Sequence, residues 1–331
     1  MQAYSVMMQI GVFVSIIGIS GCDGESPSGG STTVVVVSED TTLDRDMHNT
    51  QFRIRGNGTD FNLNGHTLSF DTDGNHVILE AGYIGHGVSN GRLVGKHFGN
   101  GIYIASNVME SDVPKLNQSI GHESVIYSRS SHNPFVRDMI IEGFNNGIYV
   151  SPYIVGADIT NNRITKADNV GLYLDTATTG STVTGNTFSD NGWREADSPF
   201  ARKRGHLSVD ASYDNTITVN TFTDTKYKWA LFGGGSNYPA PMIELYRNCG
   251  EGNSDWTTHP VLPRLHGADS NVISGNNFNG KGLAIWFAYR RHNNICNPVI
   301  YPDKADGNVA TGNFFAPNVE HVRDDGVGNI Y

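Results

Sequence analysis

The stretch Ile159-Thr160-Asn161-Asn162-Arg163-Ile164 returns as Val183-Thr184-Gly185-Asn186-Thr187-Phe188 and as Ile217-Thr218-Val219-Asn220-Thr221-Phe222. Two more copies are Ile273-Ser274-Gly275-Asn276-Asn277-Phe278 and Ala310-Thr311-Gly312-Asn313-Phe314-Phe315, with degenerate ones at Met139 to Phe144 and Val88 to Leu93. Surface turns that simply favour Asn do not explain why Asn162, Asn186, Asn220, Asn276 and Asn313 share one apolar frame. A buried corner does explain it. Its backbone groups need partners, and an Asn amide offers two donors and an acceptor, rung after rung.

Working outward, a second phrase alternates strictly: Gly101-Ile102-Tyr103-Ile104, Gly147-Ile148-Tyr149-Val150 and Gly171-Leu172-Tyr173-Leu174. Alternation with period two marks a half-buried strand. One repeat separates Ile148 from Leu172, and the distance from Ile102 to Ile148 is nearly double, room for two turns with the intermediate one at Ser124 to Ser128. No helical periodicity is evident in the sequence. A fixed period of about 23 residues is the mark of a solenoid, each turn burying its face only against its neighbours. The fold class expected is all-β, a single-domain parallel β-helix with three short strands per turn.

Together these phrases resemble the right-handed parallel β-helix repeat proteins over roughly residues 45–320, the architecture of pectate lyases, polygalacturonases and mannuronan epimerases. The resemblance is specific for fold and unspecific for reaction. Leu245-Tyr246-Arg247-Asn248-Cys249-Gly250-Glu251 is similar to a phrase in uncharacterised bacterial members in which a second Cys follows one rung later, where Cys296 stands here. That likeness, with Cys22 otherwise engaged, implies a disulfide between Cys249 and Cys296 in an oxidising compartment; a reactive thiol is the alternative.

Composition narrows the function classes. The 331 residues carry a formal net charge of −10, and the segment Met1 to Gly21 contains no Asp, Glu, Lys or Arg. An acidic chain is a poor general nucleic-acid binder, since that role needs a basic footprint. Three cysteines are too few for a disulfide-stapled mini-protein. Ile10 to Ile19 is an apolar run of signal-peptide length, too short for a comfortable membrane span. It leads into Ile19-Ser20-Gly21-Cys22, which resembles the lipobox of bacterial lipoproteins, although Met1 to Gln9 lacks the usual basic residues. The resemblance implies a signal peptide over 1–21, lipidation of Cys22, a tether over 22–33 and a β-helix domain over 34–331. It also implies a lipid-anchored protein of the bacterial cell envelope, on the periplasmic or the outer surface. An ordinary cleaved signal with a chance Cys is the alternative.

In such a coil, outward residues of equivalent strands stack about 4.8 Å apart. Aligning the strands gives one outward column of Tyr149, Tyr173, Ser208, Glu244 and Trp286, and a second of Ser151, Asp175, Asp210, Tyr246 and Ala288. Arg247 follows at the strand edge and Arg290 lies just beyond Ala288. An indifferent surface would carry Lys, Glu, Ser and Thr instead; tyrosines laddering on each other as β-formers are the plainer reading. Asp175 beside Asp210 needs a cation or a shared proton to relieve repulsion. The intervals Leu172 to Leu207, Leu207 to Ile243 and Ile243 to Ile285 all exceed the basic repeat, so long loops are expected at 191–204, 226–241 and 249–269, on one side of the coil. They include a cationic triplet, Arg202-Lys203-Arg204, and a glycine hinge at Gly233-Gly234-Gly235.

These residues suit a polysaccharide lyase acting on a uronate-containing acidic polysaccharide. β-Elimination needs a neutralised carboxylate, a base for the C5 proton and an acid for the leaving oxygen. Arg247 and Arg290 are candidate neutralisers and Tyr246 the acid/base. Asp175 and Asp210 would orient the arginines or hold Ca²⁺, with no metal site assigned. Glu244 and His206 complete the catalytic candidates, and Tyr149, Tyr173, Trp286, Arg202, Lys203 and Arg204 are candidate substrate contacts. A C5-epimerase would use nearly the same set, a glycoside hydrolase would use Asp175, Asp210 and Glu244 as acid and base, and a glycan-binding surface protein would need only the stacking residues. The expected partners are an acidic polysaccharide and, through the anchor, a membrane; a monomer is expected.

Overall fold

The computed structural model describes residues 33–108, 123–192, 205–225, 229–232, 236–247, 266–288 and 305–331. The candidates Cys22, Arg202, Lys203, Arg204, Cys249, Arg290 and Cys296, and the glycine hinge 233–235, lie outside them.

Among the described residues, twenty-six strands form two long parallel sheets that curl into a β-helix. The first face is a ten-stranded sheet running from Thr33–Val37 to Val319–Asp324, with Asn146–Val150, Val170–Leu174, Leu207–Asp210, Pro241–Tyr246 and Gly282–Phe287 stacked in sequence order between them. The other sheet folds at the asparagine corner into a second face, with Asp158–Thr160 on Thr182–Thr184, and a third, with Arg163–Thr165 on Thr187–Ser189. Earlier in the chain Gly87–Val94 and Phe135–Glu142 each run across both faces as one bent strand, with Asn90 and Asp138 at positive φ in the bend. These are the degenerate copies of the repeat.

The asparagine corner is built as the repeat implies. Asn220 accepts from the Asn186 backbone N–H at 2.9 Å and from its side-chain amide at 3.0 Å, donates to the Val183 carbonyl at 2.9 Å, and donates to Asn276 at 3.0 Å. The same bonds link Asn162 to Asn186 and Asn276 to Asn313. A second ladder, Asn215 to Asn271 to Asn308 to Asn329, satisfies the corner that leads into the second face. Inside, Phe188, Phe222, Phe278 and Phe315 stack at centroid separations of 4.9, 5.1 and 5.3 Å. Such stacked aromatics bury large apolar areas and fix the rung register.

The glycine that opens each alternating phrase is explained by close approach. A Cβ on Gly147 would stand 2.5 Å from the Gly171 carbonyl oxygen and 2.6 Å from the Ile164 side chain. Only a hydrogen fits where these rungs meet.

Two sequence expectations are corrected. Tyr103 pairs directly with Tyr149, so no rung intervenes at Ser124 to Ser128; that segment belongs instead to a helix, Glu123–Arg129. The interval from Ile102 to Ile148 is one rung with an insertion, which a multiple of the period cannot distinguish from two rungs. Where an irregular loop was expected after Lys226, an antiparallel hairpin stands, Trp229–Phe232 on Ser236–Pro239. Every long connection, at 109–122, 193–204, 226–239, 248–265 and 289–304, begins or ends beside the first face. None interrupts the asparagine corner. No helix among the described residues is long and apolar enough to cross a membrane.

Candidate functional site

The first face presents the two expected outward columns in register. Tyr103, Tyr149, Tyr173, Ser208, Glu244, Trp286 and Arg323 are successive partners in one. In the other, Asp210 pairs with Tyr246, and backbone bonds carry the column back through Asp175 and Ser151 and on through Ala288 to Asp325. Strand alternation turns these side chains away from the main apolar core, and Tyr246, Leu283, Trp286 and Ala288 form a small separate cluster.

The columns are tied by a repeated diagonal step. The Tyr149 hydroxyl donates to Asp175 of the next rung at 2.5 Å, the Tyr173 hydroxyl donates to Asp210, and the Trp286 indole N–H donates to Asp325 at 2.8 Å. Further back, Arg53 donates to Glu80 in the same relation. The Tyr149 and Tyr173 rings stack at 5.1 Å and 11°, and Tyr103 stacks on Tyr149 at 5.7 Å. Asp175 also accepts from the Thr176 N–H at 2.7 Å. The repulsion expected between Asp175 and Asp210 is therefore relieved by a phenol donor on each, a third route beside a cation or a shared proton. Burial first, then the charge and hydrogen bond of Asp175, push the Tyr149 phenol well above its ordinary range, so it stands as a donor.

The two hydroxyls of Tyr173 and Tyr246 lie 3.0 Å apart. Because Tyr173 spends its single proton on Asp210, Tyr246 is the donor in that contact. The result is an ordered chain, Tyr246 to Tyr173 to Asp210.

These columns are not the solvent-open surface that outward strand positions imply. Asp210 and Tyr246 are fully buried, and Glu244, Asp175, Tyr173 and Trp286 are no more than 7% exposed. Alternation specifies that a side chain faces away from the core, not that water reaches it. Two more candidates stand apart from the chain of hydroxyls. Arg247 lies 3.8 Å from Asp269, whose carboxyl is pushed up chiefly by burial. His206 sits inside the corner between the third and first faces, 3.1 Å from the Asn191 amide, 3.2 Å from Asp224, and flanked by Phe188 and Phe222. The bend before the second face carries residues that sequence reading passed over. Tyr127 of the helix meets the Tyr213 hydroxyl at 2.6 Å, and Tyr213 stacks on His266 at 4.3 Å.

The coil, its corner ladders and its first face can now be set beside known proteins. The model of the family described as "Periplasmic copper-binding protein (NosD)" matches residues 37–238. The chain belongs to the NosD family. A comparison with curated proteins gave no match. Among solved structures, this NosD-family chain is similar in fold to an alginate lyase from Paenibacillus sp. str. FPU-7, at 13% identity and a TM-score of 0.37, covering 89% of this chain and 92% of that one. It is similar to the Dettilon tailspike protein at 14% identity and a TM-score of 0.42, covering 86% of this chain and 48% of the tailspike. PfbA, a surface adhesin of Streptococcus pneumoniae, aligns at 12% identity and a TM-score of 0.40, covering 91% and 75% of the two chains. These likenesses concern the fold alone.

Proposed function

We propose that this protein engages a glycan along its first face and acts there as a polysaccharide lyase on a uronate-containing polysaccharide. The observation that supports this reading is the ordered chain Tyr246 to Tyr173 to Asp210. For β-elimination the buried Tyr246 hydroxyl must become accessible to the sugar; the C5 proton then passes to the Tyr246 oxygen as Tyr246 releases its own proton to Tyr173 and Tyr173 releases its proton to Asp210. The C5–H electron pair forms the C4–C5 double bond, and the C4–O bond breaks with its electrons leaving on oxygen. In this reading Glu244, beside Ser208 and Trp286 in the neighbouring column, supplies the leaving oxygen with a proton. The chain keeps Asp210 in a desolvated position where its charge is felt strongly.

The test is incubation of the protein with acidic and neutral polysaccharides, with and without Ca²⁺, read by ultraviolet absorbance of unsaturated uronate and by reducing ends. Unsaturated product that disappears in Tyr246→Phe supports the lyase. Reducing ends without unsaturation would replace it with a hydrolase using Asp175, Asp210 and Glu244. The complete burial of Asp210 and Tyr246 favours one second reading, a glycan-binding protein without turnover, and binding with neither product would establish it. A C5-epimerase would instead exchange the C5 proton with solvent while leaving the polysaccharide intact.

The family description raises copper. Among the described residues no group of three or more His, Cys, Asp or Glu is arranged to hold a metal ion. Copper sites draw on imidazole and sulfur ligands, and the buried histidines His76, His86 and His206 are individually packed in the coil. The described residues do not fit the ion. The family's periplasmic description supports a place in the cell envelope; anchoring through a lipidated Cys22 is part of the proposal, and globomycin-sensitive processing of the full chain tests it.

A further inference from the structure

Sequence alone points to Arg247, Arg290 and the triplet 202–204 as the cations that an acidic sugar needs. The first face holds another cationic group. Arg53 and Arg55 both donate to the single carboxylate of Glu80, Arg55 also through a second bond at 3.1 Å. Burial raises the Glu80 carboxyl, yet the hydrogen bonds and charges of Arg55 and Arg53 prevail and hold it below its usual range. Two guanidinium groups on one carboxylate leave an excess positive charge in a protein whose net charge is −10. Both arginine side chains are 41% exposed while Glu80 is 15% exposed, so the surplus faces solvent.

Beside this triad the columns change shape. The second column narrows to Ala105 and Ser151, while the first stays broad with the half-buried rings of Tyr103 and Tyr149. Small side chains and stacked phenols thus lie side by side at this point of the face. The helix Glu123–Arg129 packs Ile126 and Tyr127 with Val108 near Tyr153.

We propose that Arg53, Arg55, Tyr103 and Tyr149 form a subsite for an anionic stretch of glycan, upstream of the Tyr–Asp chain. This rests on the glycan reading above and adds where the anionic group of the substrate is held and the direction in which the chain lies. One sugar places its apolar C–H face on the tyrosines, and its neighbour places an anionic group on the arginines, which suit planar oxyanions. Arg53 and Asp175 are four rungs apart, about 19 Å at about 4.8 Å per rung, so a bound chain runs from the cationic end toward the carboxylates. A carboxylate or a sulfate ester would satisfy the arginines equally.

The experiment is calorimetric titration of the protein with an oligogalacturonate, a sulfated galactan oligomer and a neutral oligoglucoside. Arg53→Gln and Arg55→Gln each weaken binding of the preferred anionic oligomer about tenfold, the equivalent of one charge-assisted hydrogen bond, and leave neutral binding unchanged. Tyr103→Leu, which does not touch the triad, weakens binding while the melting temperature stays within a few degrees. Which anionic oligomer responds identifies the group. Anionic binding that survives both arginine variants overturns the subsite. Wild-type binding of the neutral oligomer alone also overturns it while sparing the glycan reading; binding of none removes both.

Discussion

Tyr173 donates its phenolic proton to Asp210, a residue 37 positions later in the chain and one rung away in space. Short-range sequence has no way to signal that pairing, yet it sets the proton order of the whole site. Tyr173→Phe would leave the buried Asp210 carboxylate without its phenol donor. The expected cost is about 2 kcal/mol at neutral pH, measured by urea denaturation, with the proposed elimination lost as well. Unchanged stability would mean that the phenol and carboxylate do not interact.

Tyr246→Phe separates catalysis from folding. It removes the first donor of the chain but keeps the ring that packs with Leu283 and Trp286. Turnover should fall by about 10²–10⁴-fold, the range for a general acid–base group, with stability close to that of the parent. Unaltered turnover would take Tyr246 out of the reaction.

Asn220→Ala strips the corner of four hydrogen bonds in the middle of the ladder. Several buried backbone and amide groups lose partners together, and the destabilisation expected is about 3 kcal/mol. Denaturant titration would show it as a lower midpoint with the same slope.

Gly147→Ala tests close approach between rungs. The added methyl has the Gly171 carbonyl and the Ile164 side chain in its way, and a loss of about 1–3 kcal/mol is expected from overpacking. A neutral substitution here would show that the rungs separate easily.

Acid should weaken the coil through two histidines. His76 stacks on Phe70 at 4.1 Å, and burial lowers both His76 and His86 from an ordinary 6.5 to about 4. The unfolded chain then binds these protons before the folded one does. Stability is full above pH ~6.5 and falls as pH drops toward ~4, by up to about 3 kcal/mol for each ring. His76→Phe keeps the stack and should remove about one proton from the pH dependence measured by denaturation at fixed temperatures.

How much of this is legible from residues alone depends on range. The frame shared by Asn162, Asn186, Asn220, Asn276 and Asn313 specifies the corner, because each ladder residue repeats within its own rung. The alternation around Tyr149, Tyr173, Glu244 and Trp286 gives the columns and their register. The helix Glu123–Arg129 escapes because an insertion that nearly doubles a rung mimics the period. Burial of Asp210 escapes because outward direction and solvent access are different properties. The Arg53–Glu80–Arg55 triad escapes because its members lie in rungs that lack the Asn phrase. Gly147 is visible as a letter in a phrase, but its reason, the Gly171 carbonyl of the next rung, is not.

That every long connection begins or ends beside one face makes the molecule lopsided in what it can tolerate. Its spine, where the amide ladder runs, accepts no change of length without breaking every later register. Its working flank can exchange whole segments while the coil beneath keeps its shape. A library that swaps only those segments would therefore retarget the protein at fixed architecture, whereas a single insertion between Asn186 and Thr187 would slip the remainder of the chain.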